Sequence, residues 1–464
     1  MDRRSFIKKT GLAASALTLP GALSVSSAER ILWTAEDTEK TIREKLRTPV
    51  TRSADVVVCG GGPSGFGAAV EAARQGARVI LIEHEGYLGG SWTAGHLGVM
   101  LDHQNKSGIL LELKTELEKR AWRANDIPTG HLFMFDSEKM KLLLEEICEK
   151  EGVQLLLYTS VCASVLKGSR ITHVVTESKS GREAIAGKVF IDATGDGDLA
   201  AMSGCGFDWG DENGNTQPMS LLALVTGIRF DEVKDCVQWS GVSNRAAKRT
   251  FAGDIRKGGY EPTYKMPCLF YLRENVFALM AVHQYGFKSI DRDDITKASI
   301  TGRRDVHALV DALKKAGGRW KDIQIVSTAP HIGCREGRRI HGLYTVSEQD
   351  LVEGRRHADA ACEVTFGVDV HPVSESKDST GASYQWGRKS KPYDIPVRAM
   401  IPRDVEGLLV TGRCISGDFI AHSSYRVNAN AVMLGQSAGY VAARAAQSGK
   451  AFKDIPYNYR EIFK

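Results

Sequence analysis

The stretch that most constrains this chain runs from Asp55 to Glu83. Val56-Val57-Val58-Cys59 is an uninterrupted apolar run, the pattern of a parallel strand covered on both faces. It leads directly into Gly60-Gly61-Gly62-Pro63-Ser64-Gly65, a G-x-G-x-x-G with its glycines at 60, 62 and 65. Small residues from Phe66 to Gln75 predict a helix stopped by Gly76, and residues 77–82 predict a second strand that ends at Glu83. Gly60 permits the tight turn, Gly62 lets backbone approach a pyrophosphate, and Gly65 lets helix and strand close together. Pro63 and Ser64 open a helix whose N-terminus offers free N–H groups and a positive dipole end to phosphates. Glu83 is placed to accept hydrogen bonds from ribose hydroxyls. Such a unit commits the chain to an α/β domain that binds a dinucleotide.

Three later segments extend this plan. Residues 86–95 form a second glycine-rich turn, with Gly89, Gly90 and Ser91 placed to follow a longer dinucleotide. Residues 189–198, VFIDATGDGD, read as a strand ending in a turn that brings Gly195 and Asp196 to the cofactor. Residues 407–413 repeat strand then glycine, and a helix is expected over 429–446. Together with CREGRRIHGLYTVSEQD (334–350), IPVRAMIP (395–402) and LLVTGRCIS (408–416), they resemble the FAD-dependent oxidoreductase family of the glutathione-reductase fold type. That family is broadly related to the fumarate-reductase-like flavoproteins, and the likeness covers about Asp55 to about Ala446. The resemblance implies FAD as cofactor and an α/β fold: a Rossmann-like FAD-binding domain of the glutathione-reductase type with an inserted α+β substrate domain. It also implies that Gly412, Arg413 and Asp418 lie near the ribityl–pyrophosphate region, with the backbone around Asn428 and Asn430 facing the flavin pyrimidine. Two departures stand out. The family's third fingerprint often ends Gly-Asp, whereas here it is Gly412-Arg413, so Asp418 is the substitute acid. The family also commonly carries Ser where this chain has Gly337.

Asp2-Arg3-Arg4-Ser5-Phe6-Ile7-Lys8-Lys9, a short apolar stretch and Ser26-Ser27-Ala28 read as a twin-arginine signal peptide rather than a membrane span. The expected organisation is a signal over 1–28, a leader over 29–53, the first part of the FAD-binding domain over 54–205, a substrate domain over 206–392 and the FAD-binding return over 393–464. Helices are expected over 107–123, 137–150 and 305–316, and strands over 154–158, 160–167, 170–177 and 218–230. The expected location is periplasmic or otherwise exported, with the Tat machinery as a partner.

The nine cysteines are too widely spaced for a C-x-x-C zinc, iron–sulfur or dithiol site, and no metal is expected. A net charge of +5 with interspersed signs gives no nucleic-acid signature. Only one complete βαβ fingerprint is present, so the electron acceptor is expected to be external: oxygen, a quinone or a carrier protein. Arg335, in a segment with Arg338 and Arg339, can fix a carboxylate or polarise a carbonyl of a small-molecule substrate. His422 is a candidate general base, with Tyr425 or Arg426 orienting the substrate, and His96 is a second candidate. The leading reading is a dehydrogenase or oxidase passing hydride between a small polar metabolite and flavin N5. The alternative is a flavin-binding isomerase or a silent flavin-binding module.

Overall fold

Strand formation follows the apolar runs, and strand register decides where their ends meet. The computed structural model describes residues 44–123, 132–239, 241–375 and 387–463. Residues from Thr48 onward pack as one compact unit. The twin-arginine segment and most of the leader lie outside the described residues.

The main sheet runs in the order Gln154–Leu156, Val79–Ile82, Val50–Cys59, Gly181–Asp192, Arg170–Ser178, Ser160–Lys167. Its first four strands are parallel. Val56, Val57, Val58 and Cys59 are fully buried, with layers on both faces of this strand. The 12-residue Gly181–Asp192 strand changes partners along its length. Its first half pairs antiparallel with Arg170–Ser178, while Phe190–Asp192 takes the C-terminal strand Leu408–Val410 in parallel. The first strand begins at Val50, five residues before the expected Asp55, because the exposed Val50–Ser53 stretch extends the ladder onto Ala184–Ala186.

Two helices cover one face of the central strands. Pro63–Arg74 follows the glycine turn, and Asn428–Ser448 returns to lie against it. They approach through glycines: a Cβ added at Gly67 would stand 2.7 Å from the Val432 carbonyl oxygen. At Gly435 an added Cβ would overlap the Ser64 carbonyl, and at Gly439 that of Ala68.

A second core lies around a four-stranded antiparallel sheet, Cys268–Arg273, Val276–Met280, Ala223–Thr226 and Gln324–Thr328 in that order. The 25-residue helix Arg292–Ala316, capped by Asp291, packs on it. The expected strand over 218–230 shortens to Ala223–Thr226, and the expected helix over 305–316 is the end of that long helix. Among the described residues no helix is long and apolar enough to cross a membrane.

Candidate functional site

Four strands end level with one another. Cys59 pairs with both Ile82 and Asp192, and Asp192 pairs with Val410. The loops after them are stitched together by backbone: Gly60 N–H donates to Ile82 O (2.8 Å), Ala193 N–H to Cys59 O (2.8 Å) and Thr411 N–H to Asp192 O (3.0 Å). Gly60, Glu83, Gly195 and Gly412 therefore follow the carboxyl edge of one sheet, where open α/β sheets bind their ligands. Gly60 has φ +102°, and an added Cβ would collide with the Ala193 backbone.

The second glycine turn folds over the first. Gly89 N–H donates to Gly61 O (2.9 Å), and Gly90 packs on Gly62. Gly412, at φ +80°, packs on Ser64, and Ser91 lies in the short turn after Gly89. Glu83 accepts from Gly61 N–H through Oε2 (2.6 Å) and from Glu85 N–H through Oε1 (2.8 Å). Burial opposes its charge, but the His84 ring and these N–H groups hold its pKa below the usual carboxylate range. Asp192, absent from the sequence expectations, is fully buried and organises the Gly195 loop by accepting from Thr194 and from Ala200 N–H. Arg413 Nη2 donates to Asp196 Oδ1 at 2.5 Å, joining the Gly195 and Gly412 loops. Gly337 needs to be glycine here, since an added Cβ would stand 2.9 Å from Asp196 Cα and overlap its carboxylate.

The cradle fits a pyrophosphate-bearing cofactor. A Cβ at Gly62 would meet nothing within 4 Å, so open space faces the N-terminus of the Pro63–Arg74 helix. That end has neither a side-chain cap nor an acidic residue in its first turn. The Asn428–Ser448 helix also starts without a side-chain cap or early acid. Asn428 clamps the Val99–Leu101 loop, donating to Val99 O (2.7 Å) and accepting from Leu101 N–H (3.0 Å). Asn430 Nδ2 is buried with no hydrogen-bond partner among the described residues.

This cradle decides the comparison with known proteins. The sequence model of the family described as FAD dependent oxidoreductase matches residues 55–462. The chain belongs to that family. Its cofactor is FAD. No curated protein matches the sequence. Among solved structures, a geranylgeranyl bacteriochlorophyll reductase-like protein from Thermoplasma acidophilum is 13% identical over 86% of this chain and 80% of its own, with a TM-score of 0.48. The flavin-dependent brominase Bmp2 is 13% identical over 88% and 83%, with a TM-score of 0.49. The p-nitrophenol 4-monooxygenase PnpA from Pseudomonas putida is 12% identical over 63% and 70%, with a TM-score of 0.36.

Four of the residues that the sequence nominates in this FAD oxidoreductase need correction. His422 is 0% exposed, and neither ring nitrogen has a hydrogen-bond partner among the described residues. Burial and the Arg426, Arg339 and Arg413 charges push its pKa well below the usual value. Tyr425 is 1% exposed and donates its hydroxyl to Ile415 O (3.1 Å), a structural bond. His96, at φ 55°, has both ring nitrogens engaged, by Thr93 O (3.1 Å) and Ser327 Oγ (2.9 Å). Asp418 is a helix cap rather than a ribityl ligand: its oxygens accept from Ala421 N–H (2.7 Å) and Glu348 N–H (2.6 Å).

Arg335 is different, because the fold surrounds it with groups that no sequence pattern joined. Its Nη1 donates to Pro218 O (2.5 Å) and Ser220 Oγ (2.9 Å), and its Nη2 faces His283 Nε2 at 3.0 Å. An arginine only donates, so His283 Nε2 accepts and its proton sits on Nδ1, facing Tyr285 Oη at 3.3 Å. Tyr264 stacks on His283 at 4.0 Å between ring centroids, and His371 meets both rings edge-on. His371 Nε2 lies 3.3 Å from Asp369 Oδ2. Burial and the Arg335 charge lower His371 to about 4. Burial works against the Asp369 charge, yet His371, Arg426 and Arg335 hold that carboxyl well below its usual range. Asp369 leaves 42% of its side chain accessible, so this cluster presents a partly open wall. Asp369 N–H donates to Ser423 O and Arg426 Nη2 to Asp369 O, which fixes this wall to the segment leading into the Asn428–Ser448 helix.

At the rim, His84 Nε2 and His331 Nδ1 approach Glu85 Oε1 at 3.4 and 3.9 Å, a spacing a cation could use. Hydrogen bonds to Glu83 and Glu85 raise His84 to about 10, so a proton on His84 already offsets these carboxylates at neutral pH. All nine cysteines are free, and burial pushes Cys148, Cys205, Cys334 and Cys362 up to about 12, which leaves them unreactive.

Proposed function

We propose that this family member is an exported FAD-dependent dehydrogenase or oxidase that takes hydride from a small polar metabolite. The proposal includes a glutathione-reductase-type fold in which residues 206–392 supply the substrate side. The observation that carries it is the His371–Asp369 pair, 3.3 Å apart and fastened to the segment before the Asn428–Ser448 helix. Bound FAD supplies a two-electron acceptor at the isoalloxazine N5. Arg335 and Arg426 hold the polar group of the substrate. His371 presents Nδ1, which has no protein partner among the described residues, to a substrate hydroxyl and takes its proton as the adjacent C–H gives up hydride. The alcohol becomes a carbonyl, two electrons leave with the hydride, and the proton stays on His371, where Asp369 stabilises the imidazolium. His371 thus takes the role that the sequence suggested for His422.

Oxygen, a quinone or a carrier protein would reoxidise the cofactor. Export by the twin-arginine route is supported by Arg3-Arg4 and the small residues before Glu29, and it suits a protein that acquires FAD before crossing a membrane. The test is anaerobic bleaching of the flavin near roughly 450 nm by a panel of hydroxy compounds. His371→Gln should keep FAD and slow bleaching about hundredfold or more. A panel without any bleaching, or a His371→Gln variant as fast as the parent, would end this reading.

A further inference from the structure

We infer that the substrate of this cluster carries a single carboxylate, held between Arg335 and Arg426. The inference deepens the dehydrogenase reading and rests on the same cluster. Every other arginine of the surrounding segments has an acid beside it: Arg338 with Asp198, Arg339 with Glu336, Arg413 with Asp196. Arg335 and Arg426 have no carboxylate within ion-pair distance among the described residues, and Asp369 acts on both from farther away. Among the described residues all their hydrogen-bond partners are neutral. Those of Arg335 are the Pro218 carbonyl, Ser220 and His283, and those of Arg426 are the Arg335 and Asp369 carbonyls and Gln217.

A half-buried guanidinium with no carboxylate bonded to it is costly, and burial lowers the pKa of both, that of Arg426 to about 10. The neutral partners pin the two forks without neutralising them. In each guanidinium these bonds occupy three of the four Nη–H positions. Nε–H and one Nη–H remain with no protein acceptor among the described residues. Arg335 keeps Nε–H and an Nη2–H, the side of the guanidinium that meets a planar two-oxygen anion, while Arg426 has Nε–H and an Nη1–H for single bonds to it.

Charge fixes the valence of the ligand. His283 and His371 are kept neutral by burial and by Arg335. Glu336 gives one oxygen to Gln217 N–H and stands beside Arg339. Asp369, whose Oδ2 faces His371, and Glu336, which acts on both Arg426 and Arg339, are the two carboxylates that answer the three guanidiniums of Arg335, Arg426 and Arg339. One positive charge remains over, which a monocarboxylate balances. A phosphate dianion would exceed it and would face Asp369.

The test uses the full FAD-loaded protein and needs no turnover. Acetate, glycolate and inorganic phosphate are titrated in turn, with the flavin difference spectrum and calorimetry as readouts. Glycolate and acetate should bind. Arg335→Met and Arg426→Met should each weaken them ten- to hundredfold, and the Lys variants, which keep the charge but lose the fork, should fall between. The Lys variants keep the test decisive if a Met variant loses FAD. The inference is overturned if the yellow protein binds neither carboxylate, if phosphate binds more tightly, or if all four variants bind like the parent. Carboxylate binding with no bleaching by any hydroxy compound would sink the dehydrogenase reading and leave the anion site standing. Bleaching by uncharged alcohols without carboxylate binding would do the reverse.

Discussion

Gly435 is where the cofactor cradle and the C-terminal helix are pressed closest, and replacing it separates packing from helix propensity. An alanine Cβ there would overlap the Ser64 carbonyl oxygen and stand 2.7 Å from its carbon, where ordinary contact begins at 3.4 Å. The overlap with the oxygen is the tighter one, so the helices must part by about 1.5 Å, and the obstacle is backbone, which cannot swing aside. Overpacking of this kind costs up to about 3 kcal/mol. Alanine returns about 1 kcal/mol through helix propensity. The net loss for Gly435→Ala is about 2 kcal/mol, a fall of about 2 °C in Tm for a unit of this size. Gly253 supplies the control. It lies inside the Asn244–Lys257 helix with nothing within 4 Å of an added Cβ, so Gly253→Ala should gain up to about 1 kcal/mol. Circular-dichroism melts of both variants, with flavin fluorescence recording FAD release, make the comparison. Because the moved carbonyl belongs to the first turn of the cradle helix, Gly435→Ala should also release FAD at a lower temperature. A Gly435→Ala variant melting within about 1 °C of the parent with full FAD would refute the argument.

Other outcomes follow from the same geometry. Glu83→Gln removes the charge that Gly61 N–H meets and should weaken FAD binding roughly ten- to hundredfold in a fluorescence titration. Tyr425→Phe should lose about 1 kcal/mol in a denaturant melt, through its bond to Ile415 O, and leave the bleaching rate unchanged. Gly337→Ser should displace Asp196 from Arg413 and cost about 1–3 kcal/mol, read as lower Tm and FAD content. The folded pKa of His371 lies below its unfolded value, so the unfolded chain takes up the proton first as pH falls. Stability should drop between about pH 6.5 and about 4, by no more than about 3 kcal/mol from this group, and His371→Gln should flatten that limb of the pH–Tm curve.

The cradle was legible because its chemistry is contiguous. Gly60, Gly62, Gly65 and Glu83 lie in one short unit whose spacing states its purpose, and the 195 and 412 turns repeat the strand-then-glycine pattern. The cluster proposed to face substrate was not legible, because His283, Arg335 and the Asp369–His371 pair sit on three separate loops with no shared spacing. His422 misled because its neighbourhood in the chain is rich in polar groups, while the short Phe419–Tyr425 helix turns that side chain inward. Asp418 carried a readable signal in another sense: an acid just before a helix caps it. The early start of the first strand gave no apolar signal because Thr51-Arg52-Ser53 is polar, as befits its exposed end.

The Gly181–Asp192 strand gives up one neighbour and takes Leu408–Val410 as its last, and this imposes an order on biosynthesis. The phosphate loop at Gly60 leaves the ribosome early, whereas the strand and helix that complete its walls emerge hundreds of residues later. Until then the Ala68–Ala72 flank that the final helix will cover is an open apolar surface. The nascent chain therefore carries this flank uncovered through most of its translation, and the walls of the FAD cradle are complete only once Leu408–Val410 and the final helix have emerged. A chain truncated before Leu408 should emerge colourless and aggregate.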